Sequence, residues 1–136
     1  MRTKKVKPPP KAHEYLLNIS KEYDEVNKKP FISFKFQTTK EFLTFQYILK
    51  IEAAVEENKL SFNLLGFSAP TAELSVPGFA GYEFRFYKFK YGEYNISVER
   101  KDSSKIRFKL NILKSKTQTL KVSNIPKESF IEIKYE

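Results

Sequence analysis

The chain of 136 residues contains no cysteine and a single histidine, His13. Without cysteine there are no disulfides, no thiolate nucleophiles and no cysteine-ligated zinc or iron–sulfur sites. A lone histidine leaves no usual zinc ligand set and no nucleophile–histidine pair. The four glycines form no phosphate-cradling cluster. We therefore expect that the protein is not an enzyme and that it holds no metal and no cofactor.

Long hydrophobic segments are also missing from the sequence. No apolar run approaches the roughly 20 residues that a membrane-spanning helix needs. If Met1 is the native start, we expect no signal peptide, because no apolar segment follows the basic N-terminus. The lack of cysteine is compatible with a reducing compartment. These observations together predict a cytoplasmic location.

The excess of basic residues is concentrated in two parts of the chain. The net charge is +9, from 25 Lys and Arg against 16 Asp and Glu. Residues 1–40 carry +6 and residues 85–121 carry +8, whereas residues 41–84 carry −4 and residues 122–136 carry −1. Basic clusters favour anionic partners, which include nucleic acids, acidic proteins and anionic membrane surfaces.

Residues 1–11 form a basic, proline-rich arm with three consecutive prolines and no acidic residue. Because proline lacks the amide hydrogen and fixes φ, we expect this arm to be extended or disordered. It is either a solvated terminus or a segment that becomes ordered on a partner. Its candidate binding residues are Arg2, Lys4, Lys5, Lys7 and Lys11. Residues 12–136 are expected to form one domain.

Alternation of apolar and polar side chains dominates the sequence from residue 30 onward. Ile32, Phe34 and Phe36 fall on one face of a predicted strand. Residues 43–55 alternate over seven apolar positions, although helical spacing also groups four of them. Residues 13–29 fit both periods, and we favour a strand over residues 14–20 followed by a polar turn. The face predicted to be buried comprises Leu43, Phe45, Tyr47, Leu49 and Ile51, with Gln46 and Lys50 exposed.

Two hairpins follow from the requirement that apolar residues share one face. A turn at residues 56–59 pairs Val55 with Leu60, and Asn58 is the residue type that tolerates the left-handed conformation. The second hairpin needs a loop of odd length around residues 101–103. We also expect the segments at residues 120–122 and 131–135 to form a last pair.

About eight or nine short strands separated by turns predict an all-β antiparallel sandwich or a small closed sheet. The stretch YGEYNISV, residues 91–98, resembles the approach to a late strand in immunoglobulin-like sandwiches, where Gly-X-Tyr precedes alternating apolar residues. The chain has no cysteine for the Cys–Trp–Cys core of that family. The resemblance implies an immunoglobulin-like fold for this chain.

The stretch YEFRFYKFKY, residues 82–91, interleaves aromatic and charged side chains. Its alternation shifts by one position after Phe86, which predicts a β-bulge at Phe86-Tyr87 that keeps all the rings on the core side. The alternative is an exposed stacking platform for single-stranded nucleic acid. The rings belong to Tyr82, Phe84, Phe86, Tyr87, Phe89 and Tyr91.

The cations of the second basic block are predicted to form an outward basic face. On the second hairpin only Lys105 is expected to face an acidic residue, Glu99. The alternative is a solvated face that keeps the strands soluble and protects their edges. The candidate binding residues of this face are Lys88, Lys90, Lys105, Arg107, Lys109, Lys114 and Lys116.

These patterns favour a non-catalytic binding or assembly module. We expect a protein-interaction subunit, or an accessory of a larger complex, whose partner has an acidic surface. The alternative is a nucleic-acid-binding protein that makes sequence-independent phosphate contacts. A β-sandwich that carries a small apolar ligand is a further alternative.

Overall fold

A computed structural model describes residues 14–42, 48–68, 78–126 and 129–136. These ranges contain nine strands and no helix, which confirms the all-β prediction. The strands are β1 (Tyr15–Asp24), β2 (Lys29–Phe42), β3 (Ile48–Glu56), β4 (Lys59–Ser68), β5 (Gly78–Phe86), β6 (Gly92–Glu99), β7 (Lys105–Ile112), β8 (Leu120–Ser123) and β9 (Ile131–Tyr135). The predicted strand over residues 14–20 is confirmed within β1, and β3 is a strand rather than a helix.

The strands form two sheets that pack face to face. The first has five strands in the order β8-β7-β6-β4-β3, and the second has four in the order β5-β2-β1-β9. One parallel bridge between Ile48 and Gly81 joins the sheets at an edge. Phe62 of the first sheet lies 5.3 Å from Phe34 and 5.0 Å from Phe36 of the second, measured between ring centroids. The two sheets therefore share one aromatic core.

Strand direction departs from the wholly antiparallel arrangement that we expected. In the described residues five strand pairs are antiparallel, whereas β1–β9, β4–β6 and β3–β5 are parallel. The predicted pairing of residues 120–122 with residues 131–135 is also wrong, because β8 pairs with β7 and β9 pairs with β1. Apolar and polar residues alternate with the same period in parallel and in antiparallel strands. The alternation therefore does not show in which direction a neighbouring strand runs.

The two predicted hairpins are confirmed in register. Val55 lies opposite Leu60, and the β6–β7 hairpin closes around residues 101–103. The left-handed residue of the β3–β4 turn is Glu57, with φ of 53°, rather than Asn58. The register of a hairpin follows from its apolar face, while the conformation of a single turn residue depends on the local geometry.

The predicted burial of the β3 face is confirmed as far as the described residues reach. Leu49 is buried, Ile51 is half-buried against the core, and Lys50 is exposed. The rest of that prediction falls on Leu43, Phe45, Gln46 and Tyr47, which lie outside the described residues.

The stretch at residues 82–91 is a strand followed by a connector. β5 ends at Phe86, and residues 87–91 lead into β6 without strand pairing, so the β-bulge prediction is wrong. Phe86 is buried, and Tyr82, Phe84 and Phe89 pack against the core as predicted. A strand end and an inserted residue shift the alternation in the same way, which is why the sequence alone did not separate them.

Two of the six rings do not face the core. Tyr91 is 49% exposed, and Tyr87 packs on the outside of its sheet against Phe31, with ring centroids 5.2 Å apart. Tyr94 anchors the connector of residues 87–91. Its buried hydroxyl accepts a hydrogen bond of 2.9 Å from the backbone amide of Lys90.

Candidate functional site

The outer face of β7 carries the centre of the predicted basic surface. Ile106, Phe108 and Leu110 are buried, so the alternate residues point outward at intervals of about 7 Å along the strand. These outward residues include Lys105, Arg107 and Lys109, and their neighbours on β6 are Glu99, Ser97 and Asn95, respectively.

Strand β4 adds a cation that the sequence analysis did not include. Its parallel pairing with β6 places Lys59 beside Asn95 and Ser61 beside Ser97. The Ser97 hydroxyl donates a hydrogen bond of 3.3 Å to the Ser61 hydroxyl. Lys59 starts a strand whose outward face is recognisable from its alternation. However, β4 and β6 are neighbours only through a crossover, which no local pattern signals.

Together these strands form a groove of about 510 Å³, which we call the basic groove. Its lining consists of Lys59, Ser61, Asn95, Ile96, Ser97, Lys105, Arg107, Phe108, Lys109 and Asn124. Four of these residues are cationic, and no carboxylate is among the described residues that line it. Ammonium and guanidinium groups surrounded by short hydroxyl and amide side chains are suited to binding carboxylate or phosphate oxygens.

Most cations of the basic groove have no acidic partner within the described ranges. Lys109 Nζ lies 3.3 Å from Glu93 Oε1. The expected neighbour of Lys105, Glu99, is opposite it in the ladder but forms no ion pair with it in the part of the chain that the structure describes. The acidic partner of Lys109 is therefore Glu93, which lies diagonally across the ladder from it. Strand register fixes the backbone positions, but a long side chain can contact any of several neighbouring side chains.

The remaining predicted basic residues lie outside the groove. Lys88 and Lys90 are exposed in the connector between β5 and β6, and Lys116 is exposed in the loop after β7. Lys114 Nζ lies 5.5 Å from the centroid of the Tyr91 ring. The structure therefore brings three of the seven predicted residues together in the groove. The predicted arm residues at positions 2–11, like His13, lie outside the described residues.

The four-stranded sheet presents a different outer face, which we call the paired face. Lys35 Nζ lies 3.3 Å from Glu22 Oε2 and 3.9 Å from Glu83 Oε2. Arg85 Nε lies 2.9 Å from Glu83 Oε1. The buried Ser33 hydroxyl donates a hydrogen bond of 2.7 Å to the other Glu83 oxygen. Here each of these charges meets an opposite charge from a neighbouring position.

Asp24 closes the paired face at the turn between β1 and β2. Its carboxylate accepts hydrogen bonds from the Asn27 backbone amide at 3.1 Å, the Asn27 side chain at 2.8 Å and the Tyr87 hydroxyl at 2.8 Å. The Asn27 bonds are the main reason that the pKa of Asp24 falls from 3.8 to about 2. Hydrogen bonds to a carboxylate stabilise its charged form.

Glu83 is another carboxylate of the paired face with a lowered pKa. Partial burial acts to raise the pKa of Glu83. The hydrogen bonds from Ser33 and Arg85, together with the charges of Arg85 and Lys35, outweigh that effect and hold the pKa below its ordinary value. The paired face therefore stabilises its own charges and leaves little of its electrostatic field for a partner.

Other kinds of site find little support in the described part of the chain. No group of three metal-ligating side chains occurs in residues 14–42, 48–68, 78–126 and 129–136. The same ranges contain no helix with the length and hydrophobicity needed to cross a bilayer. Comparison with protein-family models, with curated proteins and with solved structures finds no match for this chain. A functional assignment therefore depends on the geometry of the basic groove.

Proposed function

We propose that the protein is a non-catalytic binding or assembly module that recognises an acidic segment of a protein partner in the basic groove. One observation carries this proposal. Among the described residues the groove holds four cations and no lining carboxylate, and Lys59, Lys105 and Arg107 have no ion pair there. Cations that are not neutralised within the chain are free to bind an anionic partner.

The spacing of the groove favours an extended peptide as that partner. Outward residues of β7 recur about every 7 Å, which is also the repeat of alternate side chains in any extended chain. Acidic residues at every second position of a peptide therefore match Lys105, Arg107 and Lys109. The neighbouring Ser97 and Asn95 supply hydrogen-bonding side chains between these cations.

Nucleic acid is the second candidate partner, and the same cations favour it through phosphate contacts. Single-strand binders combine such cations with exposed rings on which the bases stack. The one aromatic residue lining the groove within the described ranges is Phe108, which is 2% exposed. Stacking in the groove is therefore not supported, and an acidic peptide is the better match.

The proposal extends to the fold type and to the arm. A tyrosine near the start of a late strand, with its hydroxyl bonded to the backbone shortly upstream, is the tyrosine corner of immunoglobulin-like sandwiches. The bond between Tyr94 and the Lys90 amide has this form and supports an immunoglobulin-like arrangement. We further propose that the basic residues of the 1–11 segment add to partner binding and that the protein acts in the cytoplasm. Cell fractionation tests the location.

The proposed function is tested by measuring fluorescence anisotropy with a labelled glutamate-rich peptide and with a labelled oligothymidine at several salt concentrations. We expect the peptide to bind, and replacement of Lys105, Arg107 and Lys109 by alanine to weaken its binding by about tenfold or more. The matched control replaces Lys50, Lys101 and Lys134, which removes the same charge outside the groove and should have a much smaller effect. Deletion of residues 1–11 measures the contribution of the arm.

Two outcomes of this experiment contradict the proposal. The first is that oligothymidine binds more tightly than the peptide, and that the slope of its log binding constant against log salt concentration falls by about one for each groove cation removed. That result assigns the groove to nucleic acid. Equal losses from the groove variant and the control variant show that only net charge matters. In that case the basic groove is a solvated surface without a partner of its own.

A further inference from the structure

The basic groove ends at an edge of β7 that β8 covers only in part. β8 pairs with residues 109–112 of β7 and stops at Ser123. The ladder ends there because Asn124 has a φ of 60°, in the left-handed region, which turns the chain away. Residues 105–108 are paired with β6 on one side. On the other side they have no strand neighbour in the part of the chain that the structure describes.

Two hydrogen bonds that flank the ladders show which backbone groups face the open edge. The Leu113 amide donates to the Thr119 carbonyl at 2.8 Å, so the odd-numbered residues of β7 face β8. The Arg100 amide donates to the Ser104 carbonyl at 2.8 Å, so the even-numbered residues face β6. Because these directions alternate along an antiparallel strand, the amide and carbonyl groups of Arg107 point to the open edge.

An open row of backbone donors and acceptors is a template for another strand. We propose, on the basis of the function proposed above, that the acidic partner segment binds as an added β-strand along residues 105–108 of β7. The added strand continues the line of β8 beyond its last pair, Ser123 with Lys109. Main-chain hydrogen bonds then provide affinity, and alternate side chains provide specificity.

The side chains of β7 define the sequence that this strand must have. Outward residues of the added strand lie beside Lys105 and Arg107, both exposed, and acidic side chains there form cross-strand ion pairs. Inward residues lie beside Ile106 and Phe108, which are 7% and 2% exposed, and apolar side chains there extend the core. The segment recognised therefore alternates acidic and apolar residues.

The charge at this edge disfavours two other occupants. If two copies of the chain paired through their β7 edges, Lys105 and Arg107 of one copy would face the same cations of the other. Like charges directly opposite each other destabilise a strand pair. Residues 1–11 of the chain carry five basic residues and no acidic one, so they meet the same repulsion. An acidic segment of another protein is the occupant that this charge selects.

The test compares three labelled peptides in binding to the full chain. In the first, glutamate and valine alternate. The second has the same composition in two blocks, and the third has the alternating sequence with N-methyl groups on every second residue. We expect the alternating peptide to bind most tightly, and N-methylation to weaken binding by about three- to tenfold or more, because it removes ladder donors but no charge.

A pair of substitutions at one position tests the same contact from the protein side. Arg107→Ala removes the charge and keeps the backbone amide, whereas Arg107→Pro removes both. The amide faces the open edge, so proline leaves the β6 ladder intact, and edge positions tolerate proline. We expect Arg107→Pro to bind the alternating peptide several-fold more weakly than Arg107→Ala. Circular dichroism checks the fold of both variants, and the N-methylated peptide provides the test if the proline variant does not fold.

The outcomes separate this inference from the proposed function. If all three peptides bind equally and both Arg107 variants behave alike, acidic recognition stands but strand addition is wrong. If no acidic peptide binds, both proposals fail. If the free protein self-associates in sedimentation and Arg107→Pro abolishes this association, the edge belongs to a second copy of the chain, which overturns the acidic partner.

Discussion

The two outer faces of the sandwich use their charges in opposite ways. On the paired face Lys35 and Arg85 both contact Glu83, and the buried Ser33 hydroxyl is bonded to the same carboxylate. In the basic groove the described residues give Arg107 no ion pair, although it lies in the centre of a charged strand. The comparison shows that the pairing of charges, rather than their number, distinguishes a self-contained surface from a candidate binding surface.

Strand register accounts for much of the difference between the faces, although Lys105 lies opposite Glu99 without an ion pair in the described residues. On the paired face Glu83 of β5 lies directly opposite Lys35 of β2, so opposite charges meet across the ladder. In the groove Arg107 lies opposite Ser97, and Lys109 lies opposite Asn95. Serine and asparagine offer hydrogen bonds but no counter-charge. Arg107 therefore remains to interact with a partner or with solvent, whereas Lys109 contacts Glu93 from a diagonal position.

The largest expected effect comes from removing the core that supports both faces. Phe62→Ala should lower the free energy of unfolding by about 3–5 kcal/mol, because its ring fills the space between the two sheets. Urea unfolding measures this change, with Val55→Ala, at a site that is 46% exposed, as the control. A loss below about 1 kcal/mol would show that the two faces do not share this support.

A smaller effect separates the paired face from the groove. Glu83→Ala leaves the buried Ser33 hydroxyl, Lys35 and Arg85 without their shared partner, and we expect a loss of about 1–3 kcal/mol in the free energy of unfolding. The matched change is Glu99→Ala, which removes a carboxylate beside the groove that has no ion pair in the described residues. That variant should stay within about 0.5 kcal/mol of the wild type. Equal losses would remove the distinction between the faces.

The paired face should also contribute to the acid sensitivity of the fold, together with Asp102, whose pKa is lowered mainly by the hydrogen bond from Arg100. A carboxylate with a lowered pKa in the folded state contributes stability that is present above its ordinary pKa and is lost as the pH falls through the folded pKa. For Asp24 this window runs from 3.8 down to about 2. Urea midpoints should therefore fall over this range, and less steeply in Asp24→Asn. An unchanged slope in Asp24→Asn would assign the acid sensitivity to other groups.

The smallest expected effect on stability belongs to the groove cations. Replacing Lys105, Arg107 and Lys109 by alanine should change the free energy of unfolding by no more than about 0.5 kcal/mol at each position. Lys105 and Arg107 form no ion pair in the described residues, and the exposed pair of Lys109 with Glu93 contributes little to stability. Thermal and urea unfolding of the triple variant measure this directly. A large destabilisation would show that these cations serve the fold, and the contrast between the faces would then fail.

Local patterns in the sequence predicted the hairpins but not the arrangement of the sheets. The pairing of Val55 with Leu60 followed from a short turn and a shared apolar face. The parallel pairing of β4 with β6 joins segments that are separated along the chain by β5. No period in the sequence encodes such a crossover. This is why three groove cations were predicted and Lys59 was not.

The site was also predicted less completely than the fold, because backbone register does not determine which side chains contact each other. Lys105 was correctly predicted to lie opposite Glu99. However, the ion pair that forms on this hairpin is between Lys109 and Glu93. The exposure of Tyr91 depends on where β5 ends. Such choices depend on rotamers and strand ends, which hydrophobic periodicity does not specify.

The central claim is that a partner binds at the basic groove and its open β7 edge rather than on the paired face. The most direct measurement is a titration of the isotope-labelled protein with the alternating glutamate–valine peptide, followed by backbone amide chemical shifts. We predict that the largest shifts occur at Lys105, Arg107 and Ser97, and that the amides of Ser33 and Glu83 remain unchanged. Shifts centred on the paired face, or a uniform weak response over the whole surface, would contradict the account.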